Sequence, residues 1–130
     1  MTLYEECLVA LGNNAQAMNG KETKDIFEEI TGTFPITSWG RIDLDKINRK
    51  IRGDSIQEGI NKLKEERLID GDVYILWDEA SLPVVKTKIE SVVNAIYDIT
   101  AVSFDTWIFC PSKKYLIEFY HEHEITLCFK

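Results

Sequence analysis

Apolar positions along the chain change their spacing, from a helical period at the start to dense, strand-like runs at the end. Leu3, Cys7, Ala10 and Leu11 share one helical face, and Thr2 and Glu5 stand at capping-box spacing, so a helix is predicted through Leu11 and stopped by Gly12-Asn13-Asn14. Residues 15–21 are weakly patterned, with Asn19-Gly20 reading as a turn. A second helix is expected from Glu22 to Thr31, with Ile26, Phe27 and Ile30 as its buried stripe and Gly32 as its stop. Phe34-Pro35-Ile36 reads as extended, because a residue before proline is pushed out of the α region. T-S-W-G-R-I-D follows as a loop or short strand, in which Trp39 fits core better than a ligand platform. Leu44, Ile47 and Ile51 predict another helix from Asp43 to Gly53, with Lys46, Arg49, Lys50 and Arg52 on a solvated basic face. Asp54 and Gln57 imitate a capping box for a helix through Arg67, with Ile56, Ile60 and Leu63 inward.

D-V-Y-I-L-W-D, from Asp72, is apolar on both faces and predicts a covered, central strand. Its exit, W-D-E-A-S-L-P-V, places Asp78 and Glu79 where functional loops are common and where they could ligate a metal or contact a cationic partner, although a solvated turn is the ordinary explanation. Thr87 and Glu90 suggest a third capping box, opening a helix with Ile89, Val92, Val93 and Ile96 inward. From Ile99 onward three β-rich runs are separated by P-S-K-K and E-H-E, the signature of a three-stranded meander. A turn pairing Cys110 with Lys114 would set Thr106 opposite Glu118 and Phe104 opposite Tyr120. Glu118 is then a charged residue in mid-strand. It requires solvent, a cation or a hydrogen-bonding neighbour, and an exposed carboxylate is the plainest reading. Residues 1–130 are expected to form a single α+β domain whose mostly antiparallel sheet, of about four strands, ends in the C-terminal meander and packs against several helices.

Charge narrows the function. The net charge is -7, with 11 acidic and 9 basic residues in 1–65 and 11 acidic and 6 basic in 66–130. That balance argues against direct nucleic-acid binding and suits a cationic partner steered to the C-terminal half, or simply solubility. The N-terminus lacks a signal-peptide pattern and no run is long enough to span a membrane, which makes the cytoplasm the expected location. Cys7, Cys110 and Cys128 fit reduced, buried thiols and form neither a disulfide framework nor a C-x-x-C motif.

The densest titratable cluster is E-F-Y-H-E-H-E, residues 118–124. Glu118, His121 and His123 supply metal-ligand types without the helical H-E-x-x-H spacing, so a solvated reversal is the simpler account and no cofactor or metal is expected. Ser103 or Cys110 near His121 would be a nucleophile with a base, but no nucleophile elbow or phosphate-cradling glycine loop accompanies them, and no catalytic residue is assigned.

T-S-W-G-R-I-D (37–43), L-W-D-E-A-S-L-P-V (76–84), A-V-S-F-D-T-W-I-F (101–109) and Y-L-I-E-F-Y-H-E-H-E-I-T-L (115–127), together with the M-T-L-Y-E-E-C start, resemble the immunity proteins of bacterial contact-dependent growth inhibition systems. The sequence departs from the pattern at His123, where the family has Gly. The resemblance implies a cytoplasmic, non-enzymatic protein, monomeric in complex with its toxin, that neutralises the C-terminal toxin domain of a large exported effector, commonly a nuclease. Carboxylates that imitate phosphates and aromatic anchors would serve that task, and the candidates are Asp78, Glu79, Asp105, Trp107, Glu118, Tyr120, Glu122 and Glu124. Docking of a toxin strand on an exposed meander edge is the other mode. A general regulatory binding module, or a small metal-dependent enzyme using Glu118, His121 and His123, are the alternative functions.

Overall fold

Helix α1 (Leu3–Leu11) begins with the expected capping box, Thr2 accepting from the Glu5 N–H and Glu5 bonding back. A computed structural model describes residues 1–38, 40–121 and 124–130. Strand β1 (Gln16–Ala17) follows, and then helix α2 (Gly20–Thr33), which opens on a capping box of Asn19 and Glu22. Asn19-Gly20 is therefore a helix start rather than a turn, and Gly32 lies inside the helix it was expected to stop.

The segment from Asp43 is not a helix. After a 3-10 turn at Leu44–Lys46 the chain forms strand β2 (Arg49–Gly53). Tertiary pairing outweighs the helical spacing here: β2 covers the edge of β7 (Glu124–Phe129), and Arg49 lies 4.0 Å above the Phe129 ring. Helix α3 (Ile56–Glu65) is capped by Ser55 and buries Ile60 and Leu63.

Strand β3 (Asp72–Trp77) occupies the covered position predicted for it. Strand β4 (Val85–Lys88) absorbs Thr87, which therefore caps nothing; helix α4 (Ile89–Asn94) starts after it without a side-chain cap and gives way at Ala95 to α5 (Ile96–Thr100). Ile99 and Thr100 thus belong to a helix, and the first meander strand starts later than its β-branched residues suggest. The Trp77 indole N–H holds the end of α5 by donating to the Ile99 carbonyl at 2.9 Å.

The meander is β5 (Thr106–Cys110), β6 (Tyr115–Tyr120) and β7. Among the described residues the sheet has seven strands in the order β1-β4-β3-β5-β6-β7-β2, every neighbouring pair antiparallel. Both edges of the meander are occupied, by β3 and β2, which removes the free meander edge on which a toxin strand could dock. The β5–β6 turn takes one residue more than expected, with Lys114 left-handed at φ 55, so Cys110 pairs with Tyr115 and Trp107 with Glu118. That one-residue shift changes which side chains share a face.

Helices α1, α3, α4 and α5 cover one face of the sheet, meeting Ile75, Ile108, Tyr115, Ile117 and Ile125. The other face, with Leu76, Trp107, Phe109, Leu116 and Cys128, is covered by α2 and by the segment from Phe34 to Ile47. All three cysteines are buried free thiols.

Candidate functional site

Antiparallel pairing brings the ends of β3, β5 and β6 together, because Trp77 pairs with Thr106 and Thr106 with Phe119. On the α2 side of this end the chain from Phe34 folds over the sheet. An Ile36–Ile42 bridge closes a tight reversal in which the Thr37 N–H and hydroxyl both donate to the Arg41 carbonyl, at 2.7 and 2.9 Å, and Gly40 takes φ 86. This reversal delivers Arg41 to the sheet.

Arg41 meets Glu118 there. Nε donates to Glu118 Oε1 at 2.9 Å, while Glu118 Oε2 accepts from the Ile42 N–H and the Trp107 indole N–H, each at 3.2 Å. With three donors Glu118 is 2% exposed, so the exposed carboxylate expected in mid-strand is instead an internal one, satisfied by a cation and two neutral N–H groups. Arg41 Nη2 also donates to Glu124 at 2.7 Å, its guanidinium lies 3.8 Å above the Tyr120 ring, and Arg52 reaches the other Glu124 oxygen at 3.3 Å. Burial pulls the Arg41 pKa down, but the hydrogen bonds to Glu118 and Glu124 outweigh it and hold the group above its ordinary value. Glu124 is held below the ordinary carboxylate value, first by its bond to Arg41.

A second chain of contacts forms the rim. Asp78 Oδ1 accepts from the Ser103 hydroxyl and, at 3.2 Å, from the Asp105 N–H; Asp105 Oδ1 accepts from the His121 N–H at 2.7 Å and lies 2.9 Å from His121 Nδ1. The two arrays enclose a recess of about 470 Å³, lined by Phe27, Arg41, Asp78, Asp105, Trp107, Glu118 and Tyr120 among others. Phe104 stands beside it, 82% exposed and edge-on to His121.

Five of the eight candidates therefore line one recess: Asp78, Asp105, Trp107, Glu118 and Tyr120. Glu124 adjoins it through Arg41. Glu79 is exposed on the loop after β3, accepts from Ser81, and does not line the recess. Glu122, like His123 and Trp39, lies outside the described residues. Phe27, expected in a buried stripe, is 48% exposed at the recess and stacks toward Trp107 at 6.2 Å.

Arg41 is the residue the spacing rules missed, since its partner is 77 positions away; the signal was Glu118 itself, a carboxylate that needed a cation. Ser103 donates to Asp78, and Cys110 sits at the turn end of β5, away from His121, so neither forms the nucleophile–base pair considered from sequence. Among the described residues no three His, Cys, Asp or Glu side chains are grouped to hold a metal, and no helix is long and apolar enough to cross a membrane.

Fold and recess together define an α+β sheet protein with an acidic, aromatic-lined depression at one end of the sheet. The family described as CdiI immunity protein, EcoliA0-like, matches residues 1–128, and the chain belongs to it. It is thus an immunity protein of the contact-dependent growth inhibition class. No curated protein matches the chain significantly.

Proposed function

We propose that the chain works in the cytoplasm as a single, non-enzymatic domain that binds and neutralises the C-terminal toxin domain of its cognate growth-inhibition effector, a basic nuclease. Asp78, Asp105, Trp107, Tyr120 and Glu124 form the centre of the contact, with Glu79 on the loop after β3 and Glu122 as further contacts, while Glu118 supports it from within by fixing Arg41. The observation that carries this reading is the convergence of carboxylates and partly exposed aromatics on one recess. Interfaces concentrate binding energy in aromatic and arginine anchors, and a negative surface steers a cationic partner to encounter.

The test is co-expression with the toxin domain encoded immediately upstream. An untagged chain retained by the tagged toxin, together with rescued growth, is the expected result. The association rate should fall steeply as salt rises from low to physiological strength. Absence of both retention and rescue would sink the assignment of this toxin as partner, and a toxin that cleaves no nucleic acid would remove the nuclease.

A further inference from the structure

The recess has two halves of similar chemical make-up. In one, the chain's own Arg41 guanidinium lies over Tyr120 and bonds Glu118 and Glu124. In the other, Trp107 and Phe27 supply aromatic rings 19° from parallel, and Asp78 and Asp105 supply the carboxylates. The Trp107 indole N–H is taken by Glu118 and the residue is only 9% exposed, so its ring lines the recess from within, while the half-exposed Phe27 ring is the aromatic face open to a ligand. The bonds made by both aspartates to described residues engage Oδ1, and among the described residues neither pairs with a lysine or an arginine.

We propose that this second half is a receptor for one arginine side chain of the toxin, an inference that rests on the immunity reading above and names its partner chemistry. Charge complementarity selects a cation: Glu118 already balances Arg41, so the aspartates give this half its negative field. Geometry selects arginine over lysine, because a planar guanidinium stacks on aromatic faces while forking to carboxylates, whereas an ammonium is a strongly hydrated point charge. The site is also prepared in advance. Asp78 is tied to Ser103 and the Asp105 N–H, and Asp105 to His121, so little side-chain freedom remains to be lost on binding. The recess as a whole, about 470 Å³, lies within the range of roughly 300–1,000 Å³ usual for ligand pockets.

The first test uses small probes on the isolated chain, following the Trp107 indole N–H signal by NMR. N-acetyl-arginine amide should shift it saturably, with affinity on the order of millimolar for a single side chain. N-acetyl-lysine amide should bind several-fold more weakly, and the neutral isostere N-acetyl-citrulline amide should have no effect. Asp78→Asn/Asp105→Asn should abolish the shift while the remaining spectrum stays folded. No saturable shift with the arginine probe, or an equal one with citrulline, overturns the receptor.

The second test uses the toxin domain, whose affinity should drop about tenfold or more with the same double variant. A wild-type chain that binds and protects, with the variant equally tight, overturns the receptor and leaves the immunity reading standing. A wild-type chain that does not bind overturns that reading itself.

Discussion

Both oxygens of Glu118 are engaged by donors from separate parts of the chain: Arg41, the Ile42 backbone and the Trp107 indole. Removing one partner of a buried ion pair leaves an uncompensated charge, so Arg41→Ala should lower stability by about 3 kcal/mol, the low end of that effect because two N–H donors remain. Replacing both partners by apolar residues usually restores such a loss. Here it should not, because Arg41→Met/Glu118→Met strands the Ile42 and Trp107 N–H groups, each worth about 1–3 kcal/mol when buried without an acceptor. Urea unfolding of wild type, Arg41→Met, Glu118→Met and the double variant measures this, and a double variant as stable as wild type would show that the two N–H groups do not depend on Glu118. Glu118→Gln, which would serve as a binding probe if the carboxylate were exposed, is therefore first a stability variant. The anomaly of a mid-strand glutamate is visible in sequence. Its solution is not, because a reversal of irregular backbone supplies the cation from the opposite half of the chain.

At the scale of elements, legibility followed how local the determining contacts are. The Thr2–Glu5 box is complete within one turn and predicts α1 correctly, and the apolar density of Asp72–Trp77 marks a covered strand without reference to its neighbours. The segment Arg49–Gly53 carries helical spacing, yet its conformation is decided by pairing with β7, some 75 residues further on. Thr87 and Glu90 match a capping box by coincidence, because β4 claims Thr87 first. The seat of α3 on β7 yields a prediction of the same kind. A Cβ added to Gly59 would stand 3.0 Å from Ile125 Cγ2, so the helix approaches the sheet as closely as glycine allows. Gly59→Ala improves helix propensity by roughly 1 kcal/mol, but overpacking costs about 1–3 kcal/mol. The crowding should win, so the variant should unfold at a lower temperature than wild type. A raised Tm would mean that α3 is free to move away from β7.

For the molecule as a whole, the shifted groups define a pH window of stability. Cys7 and Cys128 are pushed up to about 11 and about 12, in each case chiefly by burial, with the charges of Asp98 and Glu118 adding to the effect. A folded-state pKa above the unfolded value of 9.0 stabilises fully below pH 9 and is lost as pH rises toward the folded values, because the unfolded thiols ionise first. Each thiol should therefore remove about 1.4 kcal/mol per pH unit over that interval. Glu124 acts in the opposite sense. Its lowered pKa stabilises above the unfolded value of 4.5 and the contribution is lost as pH falls through the folded value, modestly, since its side chain is 37% exposed. Denaturation midpoints measured across pH should thus show a plateau bounded by an acid limb that Glu124→Gln flattens and an alkaline limb that Cys128→Ala makes shallower, even if the cavity lowers its plateau. Stability that stays constant from pH 8 to 11 would mean that the thiols are less isolated from solvent than their positions in the two cores require. The two limbs also report on different layers. Glu124's share of the acid limb follows Arg41 and the recess, and the thiols' share of the alkaline limb follows the packing of the two cores, so a toxin that occupies the recess should move the first much more than the second.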